Sequence, residues 1–304
     1  MSSVVISSSF NFLSDQDWDW EVSTATPSNI AIFNGPYLQT FAGSFVYDAN
    51  GTVFGTTTSS SFYFNNALVY SVSGMSADAT QLQIFASTYG DTQQTYAYVL
   101  KGNDSIKGSV GNDVLLGYAG DDTVDGGSGI DTAVYRGNLA NYTLTKGAGG
   151  YTVRDNSVTD GTDTLTNVER LQFANAKLAI DLEGNAGTTA KILAAVFGAP
   201  SVANKEYVGI GLNLLDGGMS YENLMQLAIN VKLGANATNT EVVNLLYTNL
   251  VGTPPGVADL AYFRDMLDQG VFTQASLGVI AAETSLNQGN VDLVGLSLTG
   301  IEFI

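Results

Sequence analysis

The sequence predicts a multidomain chain of β-plus-α class, with a β-rich domain over residues 1–97, short parallel strands wound on a nine-residue period within 98–185, and an all-helical domain over 186–304. Three observations predict it. Aromatic and β-branched runs alternate with Ser, Thr, Gly and Asn through about the first hundred residues. Gly and Asp then recur in phase every nine residues. From about residue 187 the apolar residues recur at helical spacing.

Composition bounds the chemistry. The 304 residues are 45% hydrophobic, enough for a core and against global disorder. The net charge of -18 argues against a nucleic-acid partner, which needs clustered Lys and Arg, and for cations. No Lys or Arg precedes Lys101, whereas Asp15, Asp17, Asp19, Glu21, Asp48, Asp78 and Asp91 do. Cys and His are both absent, which removes disulfides, Ser-His-Asp and Cys-His catalysis, and the usual zinc and haem ligands. Hard cations held by oxygen remain open. No apolar run approaches the roughly 20 residues of a membrane span. The opening MSSVVISSSFNFLSDQD lacks the basic and apolar regions of a signal peptide.

In the first domain, Phe45-Val46-Tyr47 and Thr52-Val53-Phe54 predict a hairpin turning at Asn50-Gly51. Ser61–Phe64 and Ala67–Val72 predict a second across Asn65-Asn66. No helical period is visible there. Asp15-Gln-Asp17-Trp-Asp19-Trp-Glu21 places its acids on one strand face and its Trp residues on the other. The bland interpretation is a half-buried strand with a solvated acidic face; the sharper one is a cation site or a sugar platform. Phe62, Tyr63, Phe64, Tyr70, Tyr96 and Tyr98 are expected in the core rather than on such a platform.

The central segment carries the chemistry. Gly102, Gly111, Gly120 and Gly129 are nine apart, as are Asp104, Asp113, Asp122 and Asp131 and the apolar Ile106, Leu115, Val124 and Ala133. Gly108, Gly117 and Gly126 open the last three units. These are four units of the calcium-binding nonapeptide G-G-x-G-x-D-x-U-x, the first degenerate at its start. Glycine permits positive φ and frees carbonyls to turn toward an ion. Aspartate supplies a hard carboxylate on a short stem, and the apolar position forms a strand pointing inward. Two units make one turn of a parallel β-roll, so Asp104 is expected to face Asp122, and Asp113 to face Asp131, each pair caging Ca²⁺. Asn103, Asn112 and Asp121 precede the key Asp and are expected to orient it or add a ligand. Ile130 breaks that pattern and predicts a weaker last site. A solvated Gly/Asp loop without an ion is the alternative, but four in-phase units are hard to obtain by accident. Without cation the stacked carboxylates repel, so metal binding and folding are expected to be coupled.

At these residues the chain resembles the RTX (repeats-in-toxin) family. The resemblance continues through GIDTAVYRGNLANYTLT and GGYTVRDNSVTDGTDTLTNVERLQFAN, where Tyr142–Thr145, Gly150–Val153 and Leu171–Phe173 are strand candidates. It implies calcium binding in a β-roll and export by a type I route that reads an uncleaved C-terminal signal. The apolar ending LTGIEFI agrees with this, although a packed terminal strand would look the same.

In the last domain Ile192, Leu193, Val196 and Phe197 fit one helix face, as do Leu224, Leu227, Ala228 and Val231. Gly217-Gly218 and Gly270 sit where helices should end, and Thr238 with Glu241 predicts a capping box. LNLLDGGMSYENLMQLA resembles FRDMLDQGVFTQASLGV about 52 residues later. Residues 187–290 resemble a helical domain of unknown function present in many exported RTX-type and surface proteins.

These observations lead to the expectation of a secreted, non-enzymatic calcium-binding protein at the cell surface, with calcium ions and copies of itself as partners in a surface layer or filament. The rival is a calcium-dependent adhesin that binds surface glycans through residues 1–97, and a third is a secreted hydrolase with its chemistry there.

Overall fold

The computed structural model describes residues 1–14, 20–86, 92–157 and 159–304. The chain divides into two compact units, Met1–Asn175 and Ala176–Ile304. Asp15–Asp19, most of the acid/Trp stretch, lies outside the described residues. Among the described residues no helix is long and apolar enough to cross a membrane.

The first unit opens with β1 (Ser3–Ile6), β2 (Glu21–Ala25), β3 (Asn29–Asn34), β4 (Tyr37–Tyr47), β5 (Val53–Phe64) and β6 (Ala67–Asp78). Strands β2 to β6 form an antiparallel meander. Both predicted hairpins are present, Tyr47 facing Val53 and Phe64 facing Ala67. Asn65 and Asn66 turn the second at φ 49° and 64°, the positive pair that a two-residue hairpin of this twist requires. The expectation of β structure alone is corrected after β6. Helices α1 (Ala79–Ile84) and α2 (Thr92–Val99) follow, and the Asp78 carboxylate caps α1 by accepting from the Gln81 N–H. Both helices are too short for several apolar repeats, which is why no period betrayed them. Tyr96 on α2 joins Phe10, Phe12, Phe62 and Tyr70 in the core, while Phe64 stays exposed.

The repeats supply β7 (Ser105–Lys107), β8 (Val114–Leu115), β9 (Thr123–Asp125) and β10 (Thr132–Val134). A hairpin of β11 (Tyr142–Gly147) and β12 (Gly150–Asp155) follows, then β13 (Thr162–Thr166) and β14 (Arg170–Gln172). Strands two repeats apart pair in parallel, β7 with β9 and β8 with β10. The backbone therefore winds as a coil of two repeats per turn. The strand pairing also crosses the boundary expected at residue 97: β1 lies between β6, antiparallel, and β7, parallel. One sheet thus runs β11-β12-β13-β9-β7-β1-β6-β5-β4-β3-β2. At the far end of the coil β13 pairs with β9 and β14 with β10, again in parallel.

The second unit holds β15 (Lys177–Ala179), α3 (Asn185–Phe197), α4 (Lys205–Asp216), α5 (Tyr221–Leu233), α6 (Asn239–Val251), α7 (Val257–Asp268), α8 (Gln274–Ala282), α9 (Ser285–Val291), α10 (Leu293–Thr299) and β16 (Ile301–Phe303). The Thr238–Glu241 capping box forms as expected. The internal similarity has a structural meaning. After both α4 and α7 the chain stops on paired reverse bonds, Met219 N–H to Leu214 C=O with Gly218 to Leu215, and Val271 to Met266 with Gly270 to Leu267. One predicted face is corrected: α5 buries Leu224, Met225, Ala228 and Ile229, leaving Leu227 and Val231 exposed. Ile301 is buried and its strand pairs antiparallel with β15, so the apolar ending contains a packed strand, while Leu298 and Ile304 on either side of it are exposed.

Candidate metal centre

The apolar position of each repeat anchors its aspartate. Ile106 and Leu115 are 1% exposed, Val124 2% and Ala133 3%, so these side chains point into the coil. The aspartate two residues earlier is drawn in with each strand: Asp104, Asp113, Asp122 and Asp131 are all at most 2% exposed. Buried carboxylates need partners, and stacking supplies half of them. The Asp104 N–H donates to Asp122 Oδ1 at 2.8 Å, and the Asp113 N–H to Asp131 Oδ1 at 2.8 Å. The predicted pairs therefore meet.

The two rows continue beyond the repeats at both ends. In one, the Ser2 N–H donates to Asp104 Oδ1, and the Asp122 N–H donates to Asp163 Oδ1 at 3.0 Å. In the other, the Phe10 N–H donates to Asp113 Oδ1 at 2.6 Å, and the Asp131 N–H to Glu169 Oε2 at 2.8 Å. None of these four residues stands in the nine-residue spacing of the repeats. A signal existed for one: Gly161-Thr-Asp163-Thr-Leu165-Thr repeats G-x-D-x-U-x, displaced by the β11–β12 hairpin. Glu169 and the N-terminal residues carry no such spacing. Asp160 ties its own loop back to the coil, accepting from Arg136 at 3.0 Å and the Tyr142 hydroxyl at 2.7 Å, while its carbonyl takes the Gly120 N–H.

Asn103, Asn112 and Asp121 build a parallel ladder. Their Oδ1 atoms accept from the N–H groups of Asp121, Ile130 and Thr162 at 3.0, 2.9 and 2.8 Å. They bind coil to coil and make none of these bonds to their own repeat's aspartate. Ile130 breaks the pattern only in its side chain, since its N–H still finds Asn112. Gly120 and Gly129 take φ 129° and 125° and lie directly on Gly102 and Gly111, where a Cβ would overlap backbone.

The second carboxylate oxygens decide what the site can hold. Among the described residues, Oδ2 of Asp104, Asp122 and Asp131 is buried with no hydrogen-bond partner. A Cβ on Gly117 or Gly126 would run into the Asp122 or Asp131 Oδ2, so these loops form cradles only glycine leaves open. Among the described residues no three acidic side chains converge on one point. A cation here would draw on stacked carboxylates and loop carbonyls, the all-oxygen donor set of Ca²⁺. Burial pushes the Asp122 carboxyl up to about 8, the Asp104 N–H opposing and the charges of Asp163, Asp104 and Asp121 reinforcing. Burial likewise raises Asp131 to about 7, with Glu169 and Asp113 adding repulsion. Asp163 also rises to about 7 through burial, against hydrogen bonds from the Asp122 N–H and the Tyr135 hydroxyl. Without a counter-charge these carboxylates hold protons near neutrality.

A family model for the RTX calcium-binding nonapeptide repeat, in four copies, matches residues 100–133. Such repeats bind Ca²⁺, and the orphaned oxygens lie within that span. Seven solved chains match. One of them is the extracellular lipase LipA from Serratia marcescens, 28% identical over 24% of this chain and 13% of the lipase, with a TM-score of 0.15. No curated protein matches the chain.

Proposed function

We propose that this chain, whose residues 100–133 are calcium-binding RTX repeats, is a secreted, non-enzymatic structural protein that winds into a parallel β-roll around Ca²⁺ and assembles with its own copies at the cell surface. The observation that carries the calcium part is the set of buried carboxylate oxygens without partners among the described residues, on Asp104, Asp122 and Asp131. The two aspartate rows hold the ions, with carbonyls of the Gly102, Gly111, Gly120 and Gly129 turns completing the shell. Bound Ca²⁺ supplies the positive charge that lets the stacked carboxylates ionise. Asn103, Asn112 and Asp121 act as coil-to-coil ties. The roll is then loose where calcium is scarce, as suits passage through a type I channel, and rigid outside.

The assembly part is supported by β2. All five of its residues are exposed, and it pairs with β3 on one side with no strand partner on the other among the described residues. An open strand edge is a template for a further copy. Electron microscopy and light scattering of the purified chain in millimolar calcium and in chelator test this. Sheets or filaments that disperse in chelator are expected. Calcium-loaded monomers at high concentration would rule assembly out, and if they bound immobilised glycans the adhesin would take its place.

A further inference from the structure

The two aspartate rows are chemically unequal. Among the described residues, Asp104 and Asp122 in one row, and Asp131 in the other, each leave Oδ2 unpartnered. Asp113 does not. Its Oδ2 accepts the Ser109 N–H at 2.6 Å and the Ser109 hydroxyl at 2.9 Å. Ser109 stands at the second position of its repeat, where the following repeats carry Tyr118 and Gly127. Those two turn at φ 69° and 99°, and Ser109 does not share the positive φ. Its loop therefore folds over its own aspartate instead of standing open. The carboxylate is buried to 1% exposure, so this serine satisfies it at a point where the other three repeats leave an oxygen bare.

We infer that Ser109 closes the Asp113 turn, so that Asp113 is a structural member of its row and not a calcium ligand, and that the ions are held at Asp104, Asp122 and Asp131. This rests on the calcium reading above and refines which repeats take part. Two donors on one oxygen give Asp113 what an ion would give it, and a cation entering there would first have to break both bonds. The unequal rows then follow from one residue that departs from the repeat consensus.

Calcium stoichiometry of the full chain, measured by isothermal titration on metal-free protein with circular dichroism as a check on folding, tests this. Asp113→Asn should bind as many ions as the parent chain, whereas Asp131→Asn should bind one fewer. Ser109→Gly, which restores the consensus, should bind one more. If Asp113→Asn loses an ion as Asp131→Asn does, or if Ser109→Gly gains none, the inference is wrong. Should Asp113→Asn not fold, the Ser109→Gly count decides alone. A parent chain that takes up no calcium would overturn the reading beneath instead.

Discussion

At the scale of single residues, the same side chain meets opposite fates according to what surrounds it. Asp155 is buried, and burial alone would raise its carboxyl, but the Ser157 hydroxyl and the N–H groups of Asp160, Ser157 and Thr159 outweigh that and hold it at about 2. Its folded value lies below its unfolded one, so its contribution is present above about pH 4 and fades as pH falls toward 2. Asp155→Ala should lower stability by about 1–3 kcal/mol in urea titrations at neutral pH. The difference from the parent should shrink below pH 3, and an undiminished difference there would contradict the assignment.

At the scale of elements, β1 is the piece most distant in sequence from what it supports. It fills the gap between the meander and the repeats, and Val4 is 1% exposed in register with Ile106. The preceding Ser2 N–H meets the first aspartate of its row. Trimming Val4 to Ala removes two methyl groups from a packed position and should cost about 1–3 kcal/mol. The loss should appear in the calcium-dependent transition, although the repeats begin about a hundred residues later. Unchanged denaturation midpoints in calcium would show that the coil stands without this strand.

At the scale of the whole molecule, the two units differ in what holds them. Ala176–Ile304 is built on apolar clusters around Val196, Met225, Ile229 and Val242, and around Ala186, Val208, Leu212 and Ile301. Met1–Asn175 contains the carboxylate rows. Chelator should therefore abolish much of the β signal while the helical circular dichroism near 222 nm persists; simultaneous loss of both would contradict this. The raised carboxyls of Asp122, Asp131 and Asp163 set the pH dependence of the cation-free state. Their folded values exceed their unfolded ones, so they favour folding fully below about pH 4 and lose that contribution as pH rises through 7 to 8. In chelator the first unit should melt higher at pH 5 than at pH 8. In millimolar calcium the order should invert, because protons and the cation compete for the same oxygens. Melting curves at the two pH values, with and without calcium, check both signs.

The sequence by itself determined the aspartate pairs, because a nine-residue period with glycine turns leaves one way to wind: residues 18 apart must stack. It also determined the two hairpins, whose turn residues tolerate positive φ, and the capping box, where three residues of spacing contain the whole interaction. Only the tertiary structure decided how the rows end. Ser2, Phe10 and Glu169 join them through long-range strand pairing, which leaves no local period. The role of Ser109 was equally hidden, since whether a hydroxyl faces solvent or a buried carboxylate depends on how the chain closes over it.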